Sequence, residues 1–451
     1  MWNSRVLDYR IVIAFLFSAL MGVVLIPLLP IFTSNPLFLL AIPIGGLFFI
    51  LMVVKPAWTL AILLLSRPLL DLLLNLTKVS VGGEEMGIGA LLNLVIIIMA
   101  VFMAFYYSTF PHREKTVLCW IIFLALMLVA VVNSPFQGRA IRLYFNYVSY
   151  FSMLLIPFLV IKTKEDWVFW MKILAGSFVL PILFANFDLA RGGQYYASAG
   201  MRIAGTFTHP NILAFYLVLG LTIYFYLLKD NPLKLKPRWI WALKILMLNM
   251  IVLLIATKTR NAWVACFGGF FIYGWFKDQK FLLVLFLFVV GLLLIPPVQE
   301  RVMTVVSKSQ SSDYQGINSW EWRREMWKSS LPRIAERPLQ GYGLTSFKPM
   351  SEQFSDVGRN MGAHNVYLEV LFETGIFGLL SFIALFLSPL IIFSKKMFQD
   401  NQTSAKLAAI LVGYIVSYMI ICSADNLLYY LVLNWYVWFF LGLMLVKERL
   451  T

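Results

Sequence analysis

Residues 376–393 read IFGLLSFIALFLSPLIIF, 18 consecutive positions without a charged side chain, and Lys395 and Lys396 follow shortly after. A stretch of this length can cross the hydrocarbon core of a bilayer as one α-helix. The sequence therefore predicts a membrane-spanning helix here. Comparable stretches recur from one end of the chain to the other, so this pattern decides the fold class.

The composition of the whole chain supports the same interpretation. Of 451 residues, 61% are hydrophobic and 13% are charged, and the mean hydropathy is +0.81. A soluble domain of this length needs more charge to cover its surface. We therefore predict an all-α polytopic membrane protein. Arg5, Asp8 and Arg10 precede the first apolar stretch and no small-residue cleavage site follows it, which indicates an uncleaved first helix.

Fourteen spans are predicted, and twelve is the alternative because the third, tenth and thirteenth are short. They cover about 11–32, 36–54, 57–76, 87–108, 117–133, 142–161, 167–187, 211–228, 239–257, 261–276, 281–297, 364–393, 406–424 and 426–446. Two connections are long, at about 188–210 and 298–363, and long ordered loops are usually functional. The predicted organisation is helices 1–11 over residues 1–297, a large loop with short helices over 298–363, and the last helices over 364–451.

The charges between the spans predict an orientation. Alternate connections are rich in lysine, as cytoplasmic loops are, which places both termini in the cytoplasm. Those connections hold Lys55, Arg113, Lys115, Lys162, Lys164, Lys229, Lys234, Lys236, Arg238, Lys277, Lys280, Lys395, Lys396, Lys447 and Arg449. The opposite side carries mostly arginine, whose planar fork binds phosphate or carboxylate in a bidentate manner. Its arginines are Arg67, Arg139, Arg142, Arg191, Arg202, Arg260, Arg301, Arg323, Arg324, Arg333, Arg337 and Arg359.

Positive residues are normally concentrated in cytoplasmic loops, so these arginines on the opposite side suggest an anionic substrate on the extracytoplasmic side. For the arginines of the large loop, the alternative is that they pair with nearby glutamates such as Glu321, Glu325 and Glu336. The stretch that begins at Ser319 mixes tryptophan with arginine and is suited to the membrane interface. The formal charge of +15 is explained by topology and anionic lipid, so it does not indicate nucleic acid.

The residue types argue against several kinds of site. Cys119, Cys266 and Cys422 lie far apart in apolar stretches and match neither a metal nor a disulfide pattern. No phosphate-binding loop and no paired acidic motif for a divalent cation occurs. We therefore expect no metal and no other cofactor.

Three polar positions could carry chemistry. His364 is predicted to open a helix, on which Gly375 and Gly378 would lie about 20° and 40° away and admit a neighbouring helix. A histidine at a helix N-terminus is a plausible base, and the alternative is an interfacial histidine that only hydrogen-bonds. Arg202 precedes the eighth span, and Arg260 lies at a tight outer turn where it could instead extend to lipid headgroups.

Further arginines are of second rank. Arg139 and Arg142 are i, i+3 partners, and either could reach a lipid phosphate. Arg67 and Asp71 are four residues apart within an apolar span, which favours an internal ion pair.

Several of these segments, in order, resemble the O-antigen ligase/polymerase superfamily. They are Arg67-Pro-Leu-Leu-Asp71, Gly-Thr-Phe-x-x-Pro-Asn over 205–211, Thr-Lys-Thr-Arg-Asn-Ala-Trp over 257–263, Pro-Leu-Gln-Gly-Tyr-Gly over 338–343, and His364-Asn365 with Gly375 and Gly378. His209 departs from the pattern, because a small or amide residue is expected there. Whether it adds a second titrating group is left open.

The resemblance implies a GT-C-like glycosyltransferase that needs neither metal nor nucleotide. Its donor would be a glycan on undecaprenyl pyrophosphate at the outer leaflet of the bacterial inner membrane, transferred with inversion to an acceptor hydroxyl. By the same resemblance, Arg202 and Arg260 would stabilise the leaving pyrophosphate and His364 would orient or deprotonate the acceptor. Further contacts to pyrophosphate or glycan would come from Arg139, Arg142, His209, Asn211, Arg323, Arg324 and Asn365, with Gly375, Gly378, Arg67 and Asp71 as structural residues.

Two questions remain open at the level of sequence. A flippase or transporter for lipid-linked oligosaccharide would also combine many spans with arginines, although such proteins tend to show internal repeats and none is evident here. Within the enzyme hypothesis, the acceptor could be a growing polysaccharide, a lipid A-core or a protein, because related folds serve different acceptors.

Overall fold

The computed structural model describes residues 50–450 apart from 77–78, 82–83, 87, 108–109, 197–199, 304–318, 357–359 and 400. The first predicted span and residues 36–49 of the second lie outside the described residues. So do Arg5, Asp8, Arg10 and Arg359.

The described chain is almost wholly helical. Its sixteen α-helices are α1 Pro56–Leu76, α2 Ile88–Tyr107, α3 Lys115–Val132, α4 Gln137–Val160, α5 Lys164–Gly176, α6 Val179–Ala190, α7 Pro210–Asp230, α8 Pro237–Ala256, α9 Arg260–Lys277, α10 Gln279–Leu293, α11 Pro296–Met303, α12 Ser319–Glu336, α13 Phe347–Phe354, α14 Val366–Met397, α15 Gln402–Cys422 and α16 Leu431–Leu450. Two antiparallel hairpins interrupt them, β1 Val79–Val81 with β2 Glu84–Met86, and β3 Gln194–Tyr196 with β4 Gly200–Arg202.

The all-α polytopic membrane fold is confirmed. Within the described residues, nine helical segments are long and apolar enough to cross a membrane, and Leu92–Tyr107 and Gln279–Leu293 are shorter apolar helices. The third and thirteenth predicted spans are among the nine. The tenth corresponds to α9, a helix of 18 residues that is not among them, because three glycines, two tryptophans and its terminal cations lower its hydropathy.

The helix α16 forms the centre of the bundle. Every side chain from Val432 to Val446 is buried, and α4 packs along it. The helices α9 and α15 approach each other closely at Gly269 and Gly413, where a Cβ on Gly269 would lie 2.9 Å from the carbonyl oxygen of Gly413. Small residues permit such backbone contact between membrane helices. In contrast, α10 contains no buried side chain, so it lies at the periphery.

The helix α1 is held to the segment before α7 by a proline. Pro68 has no N–H, so the carbonyl of Leu64 accepts a hydrogen bond from the Tyr436 hydroxyl instead. The Pro68 carbonyl accepts from Thr206 Oγ1 at 2.7 Å, and Leu72 N donates to the Thr206 carbonyl at 3.1 Å.

The ion pair expected between Arg67 and Asp71 is present at 3.2 Å. Both residues belong to α1, and both side chains are largely buried, with 3% and 14% of their surface exposed. The second oxygen of Asp71 accepts a long hydrogen bond of 3.4 Å from Thr208 N. The pair therefore joins α1 to the same segment before α7.

Gly375 breaks α14 and receives the large loop. Its φ of 68° and ψ of −170° are available to glycine alone, and a Cβ there would collide with the Leu339 carbonyl. Ile376 N donates to the Pro338 carbonyl at 2.8 Å. The close approach is therefore made by the loop backbone, and the prediction that Gly375 admits another helix is wrong. Gly378 does face α3, with a Cβ position 3.4 Å from Met127.

The turn over residues 338–343 is bound to α14 by two further hydrogen bonds. Tyr342 N donates to the Phe372 carbonyl at 3.0 Å, and Gly343 N donates to the Glu373 carbonyl at 2.9 Å. A small second core lies beneath, made by Met326, Ile334, Tyr342, Phe347, Ala363 and Phe372. The residues of α12 and α13 are thus fixed to the first turns of α14.

The lysine-rich connections lie at one end of the bundle. Lys447 Nζ donates to the Tyr226 hydroxyl at 2.7 Å, and Lys229 pairs with Asp278 at 3.0 Å. These contacts are at the C-terminal ends of α7 and α16. A helix of 20 residues is about 30 Å long, so the start of α16 lies at the opposite end.

We predict that Gly375→Ala destabilises the protein. The backbone conformation alone should cost about 1–3 kcal/mol in an alanine, and the collision with Leu339 adds to this. The matched control is Gly291→Ala in α10, where nothing lies within 4 Å of the added Cβ. Thermal unfolding in detergent should show a lower midpoint for Gly375→Ala and an unchanged or higher midpoint for Gly291→Ala. Equal midpoints would contradict the docking of the turn at Gly375.

Candidate functional site

Arg202 is buried at the end of the β3–β4 hairpin. Its Nε donates to the Thr257 carbonyl at 2.7 Å, and its Nη2 donates to Asn211 Oδ1 and Thr259 Oγ1, both at 2.8 Å. Burial lowers the pKa of Arg202 from its usual value, and Tyr196 and Asp425 act in the opposite direction. The guanidinium therefore ties the start of α7 to the turn between α8 and α9.

Asn211 links Arg202 to the buried carboxylate of Asp425. Its Nδ2 donates to Asp425 Oδ2 at 2.6 Å. The other oxygen, Oδ1, accepts from the Tyr430 hydroxyl and from Asn426 N, both at 2.8 Å. Burial raises the pKa of Asp425, but the neighbouring His364, Tyr430 and Arg323 outweigh it and lower the pKa below its usual value. Asp425, 1% exposed, is thus a charged residue inside the site.

His364 faces the same carboxylate. Its Nδ1 lies 3.7 Å from Asp425 Oδ1, beyond hydrogen-bond distance, and this buried atom has no hydrogen-bond partner among the described residues. The ring packs edge-on against Trp322 of α12, with 5.5 Å between ring centroids. About 29% of the side chain is exposed, so the imidazole is open to a substrate.

The prediction that His364 opens the helix is wrong. It has a φ of 48°, in the left-handed region, and α14 begins only at Val366. Asn365 is the N-cap, because its side chain accepts from Leu368 N at 3.2 Å. The helical angles expected from His364 to Gly375 and Gly378 therefore do not apply, and Asn365 has a capping role in this structure.

His209 caps α7. Its Nδ1 accepts from Asn211 N at 3.1 Å, which requires the ring nitrogen to be unprotonated. Burial lowers the pKa of His209, and the charge of Arg202 lowers it further. The position that departs from the family pattern thus holds a neutral cap near pH 7.

Three further arginines converge on this cluster. Arg260 is the first residue of α9, and Arg301 of α11 donates from Nε to the Lys258 carbonyl at 3.2 Å. Arg323 of α12 has a buried Nε without a hydrogen-bond partner in the described part of the chain. The charges of Arg301 and Arg323 act on Arg260, and that of Arg202 acts on Arg301. Four guanidinium groups therefore share one region of the molecule.

The electrostatic balance of this region favours an anion. The four arginines are opposed by Asp425, which acts on both Arg202 and Arg323. Burial lowers the pKa of Arg323, with Asp425 and Tyr430 acting the other way. Because guanidinium groups bind phosphate oxygens in a bidentate manner, the arrangement suits a phosphate or diphosphate group.

Other arginines expected to contact the substrate lie on α4 and α12. Arg139 and Arg142 are in the first turns of α4, where Arg139 is exposed and covers the ring of Phe136 at 6.0 Å. Arg324 is exposed on α12, beside Arg323. Of the loop arginines, Arg333 pairs with Glu336 at 3.1 Å, which is the alternative expected for this loop.

Sequence reasoning missed Asp425 and the position of Arg301. No sequence motif indicated Asp425, because it is a single acidic residue in the short connection between two apolar spans. The sequence did offer one indication that Asp425 belongs to the site, since the connection that contains it is predicted to lie on the same side of the membrane as His364.

Among the described residues, no cluster of three or more His, Cys, Asp or Glu side chains could hold a metal ion.

Comparison with known proteins finds one family and one relative that are similar to part of this chain. The family model described as O-antigen ligase matches residues 245–383, which include Arg260, Arg301, Arg323 and His364. The general O-oligosaccharyltransferase of Acinetobacter baylyi is 30% identical over 188 residues, 38% of this chain and 32% of that protein. The match thus spans about a third of the relative's length. Over residues 245–383, the chain is therefore similar to the O-antigen ligase family.

Proposed function

We propose that this protein is an integral-membrane glycosyltransferase of the GT-C-like type. It transfers a glycan from undecaprenyl pyrophosphate, at the outer leaflet of the bacterial inner membrane, to an acceptor hydroxyl with inversion and without a metal. The observation that carries the proposal is the cluster of four arginines, two of which, Arg202 and Arg323, act on the buried Asp425 that His364 also faces. The family of the segment 245–383 supports the same chemistry.

The arginines divide into two roles. Arg202 uses Nε and Nη2 for hydrogen bonds within the protein, so it positions the turn before Arg260 and the start of α7. Arg260, Arg301 and Arg323 bind the diphosphate and stabilise the negative charge that develops as it leaves. This revises the role expected for Arg202, which becomes a positioning residue.

His364 acts on the acceptor. With Nδ1 directed at Asp425, Nε2 is the nitrogen that accepts the proton of the acceptor hydroxyl. The acceptor oxygen attacks the anomeric carbon, the bond from that carbon to the diphosphate oxygen breaks, and the electron pair leaves with the polyprenyl diphosphate. Attack opposite the leaving group inverts the anomeric configuration. The 3.7 Å separation is compatible with this role, because catalytic hydrogen bonds often tighten only when substrate binds.

The charge distribution supports the orientation. The end of the bundle opposite the site carries Lys229, Lys396, Lys447 and Arg449, as expected of a cytoplasmic face. The site then faces away from the cytoplasm, with both termini inside. The energy of transfer comes from the polyprenyl pyrophosphate linkage itself.

Two classes of acceptor compete. The relative from Acinetobacter baylyi is named as a general O-oligosaccharyltransferase, which favours transfer of an oligosaccharide to an acceptor hydroxyl, including one on a protein. The family name favours ligation to lipid A-core or extension of a polysaccharide. The donor site serves both, so only the product distinguishes them.

We predict that transfer depends on His364 and Arg260 and not on metal or nucleotide. The purified protein is incubated with its undecaprenyl-pyrophosphate glycan and an acceptor fraction in EDTA, and the product is followed by gel. His364→Ala should reduce the rate by about 10²–10⁴-fold and Arg260→Ala by about 10²–10³-fold. His112→Ala and Arg238→Ala, at exposed positions, are the matched controls and should transfer at the wild-type rate.

The product decides between the alternatives. A ladder of sizes indicates a polymerase, and one discrete product indicates a ligase or an oligosaccharyltransferase. Wild-type protein that transfers nothing, but moves lipid-linked glycan across proteoliposome membranes, would establish a transporter and overturn the proposal.

We also predict that Asp425 acts by positioning His364. In Asp425→Asn, one acceptor oxygen replaces two, so either Asn211 or Tyr430 loses its partner. The kcat should fall by about 10²-fold or more, as for loss of an oriented base. Donor binding should not weaken, because a negative charge is removed from beside the arginines. Tyr430→Phe, which removes one hydrogen bond to Asp425, should show a smaller loss; weakened donor binding with unchanged kcat would contradict this role.

A further inference from the structure

Two consecutive tyrosines precede the central helix α16, and their hydroxyls bind different carboxyl groups. The Tyr430 hydroxyl donates to Asp425 Oδ1 at 2.8 Å. The Tyr429 hydroxyl donates to Glu369 Oε1 at 2.7 Å, in the first turn of α14. Glu369 is 5% exposed, and neither it nor Tyr429 has a part in the transfer step proposed above. The two hydrogen bonds fix both rings.

The two tyrosines lie on different sides of the site. The charge of Arg323 acts on Tyr430, so Tyr430 belongs to the arginine side. Burial raises the pKa of Tyr429, and the carboxyl groups of Glu369 and Glu373 on α14 act in the same direction. The Tyr429 hydroxyl therefore keeps its proton and remains the donor to Glu369. Tyr429 thus belongs to the α14 side of the site.

Tyr429 is held beside the segment that bears His364. A Cβ on Gly362 would collide with the side chain of Asn426, so the chain two residues before His364 packs directly on this turn. Tyr429 N donates to the Asn426 carbonyl at 3.1 Å within the same turn. Glu369, which anchors the hydroxyl, belongs to the first turn of the helix that follows His364. Both the backbone and the hydroxyl of Tyr429 are therefore fixed next to His364.

Tyr429 is nevertheless open to solvent. It is 41% exposed, whereas the ring of Tyr430 packs against Phe215 with 6.2 Å between centroids. Tyr429 lies two residues before the start of α16, whose side chains from Val432 to Val446 are all buried at the centre of the bundle. Other helices surround the end of a central helix. The exposed part of Tyr429 therefore faces the end of the bundle that holds the site, and not the lipid at the periphery.

We propose that the ring of Tyr429 is a stacking platform for a sugar of the acceptor, which makes the acceptor a glycan. The inference rests on the proposed function, in which His364 takes the proton of the acceptor hydroxyl. One face of a pyranose carries several C–H groups, and such a face packs on the electron-rich face of an aromatic ring. A serine or threonine side chain offers no comparable face. Because the ring is already fixed, little conformational entropy is lost when the sugar binds.

The test separates acceptor binding from donor binding and from the chemical step. Initial rates are measured against the concentration of a polysaccharide or lipid A-core acceptor fraction and, separately, against that of the lipid-linked donor. Tyr429→Leu removes the ring and should raise the KM for the acceptor about fivefold or more. Tyr429→Gln, a second variant without a ring, should do the same. The kcat, the KM for the donor and the midpoint of thermal unfolding should stay close to those of the wild type.

Two further variants are the controls. Tyr429→Phe keeps the ring and loses only the hydroxyl, so its KM for the acceptor should stay within about threefold of the wild type. Tyr195→Leu removes a tyrosine of β3 that is 74% exposed, and it should leave all kinetic constants unchanged.

A binding measurement makes the test independent of transfer. The full-length protein in nanodiscs is mixed with the methyl glycosides of glucose, galactose and N-acetylglucosamine, and saturation-transfer-difference NMR detects which sugar protons contact the protein. We expect signals from the C–H groups of one sugar face, which Tyr429→Leu abolishes and Tyr195→Leu leaves in place.

Three outcomes would overturn the inference. An unchanged acceptor KM in both variants without a ring would show that the acceptor does not stack on Tyr429. A raised donor KM in place of the acceptor KM would assign the ring to the donor. A serine-containing peptide that is glycosylated as efficiently as the glycan acceptor, with no dependence on Tyr429, would identify a protein acceptor.

A failure of the proposed function gives a different pattern. Sugar signals that depend on Tyr429, without glycan transfer by the wild-type protein, support the platform and reject the enzyme. Transfer by the wild-type protein, without any dependence on Tyr429 in kinetics or NMR, supports the enzyme and rejects the platform.

Discussion

The buried carboxylate of Asp425 is the constraint on which the site depends. An ionised carboxylate removed from water is costly unless charges and hydrogen bonds compensate it. Here the compensation comes from Asn211 at the start of α7, from Tyr430 before α16, and from the charge of Arg323. These groups belong to separate helix ends, so satisfying one carboxylate brings the ends together. Arg202 extends the network to the turn before Arg260.

A second constraint fixes the other side of the site. The turn over residues 338–343 docks on the break in α14 at Gly375, and α12 is packed on the first turns of the same helix. Because α12 carries Trp322 and Arg323, this docking sets where Trp322 packs against His364 and where Arg323 acts on Asp425. The turn at 338–343 and the residues of the site are therefore parts of one arrangement. In it, Gly375, which lies outside the site, determines where Arg323 lies.

Much of this could be predicted from the sequence, and the failures have physical causes. Apolar stretches predicted a helix for each of the twelve spans from the third to the fourteenth, because length and hydropathy are local properties. The internal pair Arg67–Asp71 followed from i, i+4 spacing. The helical position of His364 failed, because Asn365 caps the helix one residue later. Asp425 and the internal role of Arg202 could not be found, because both depend on contacts between segments more than 50 residues apart.

The central claim is that the arginines and His364 surround one reaction centre, and a structure with donor bound tests it most directly. Cryo-electron microscopy of the protein in nanodiscs, with a non-transferable undecaprenyl-diphosphate glycan analogue, would locate the diphosphate. The account predicts phosphate density within hydrogen-bond distance of Arg260 and at least one of Arg301 and Arg323. The anomeric carbon should lie between that density and Nε2 of His364. Diphosphate density at the lysine-rich end of the bundle, or on the side of Arg139 and Arg142, would contradict it.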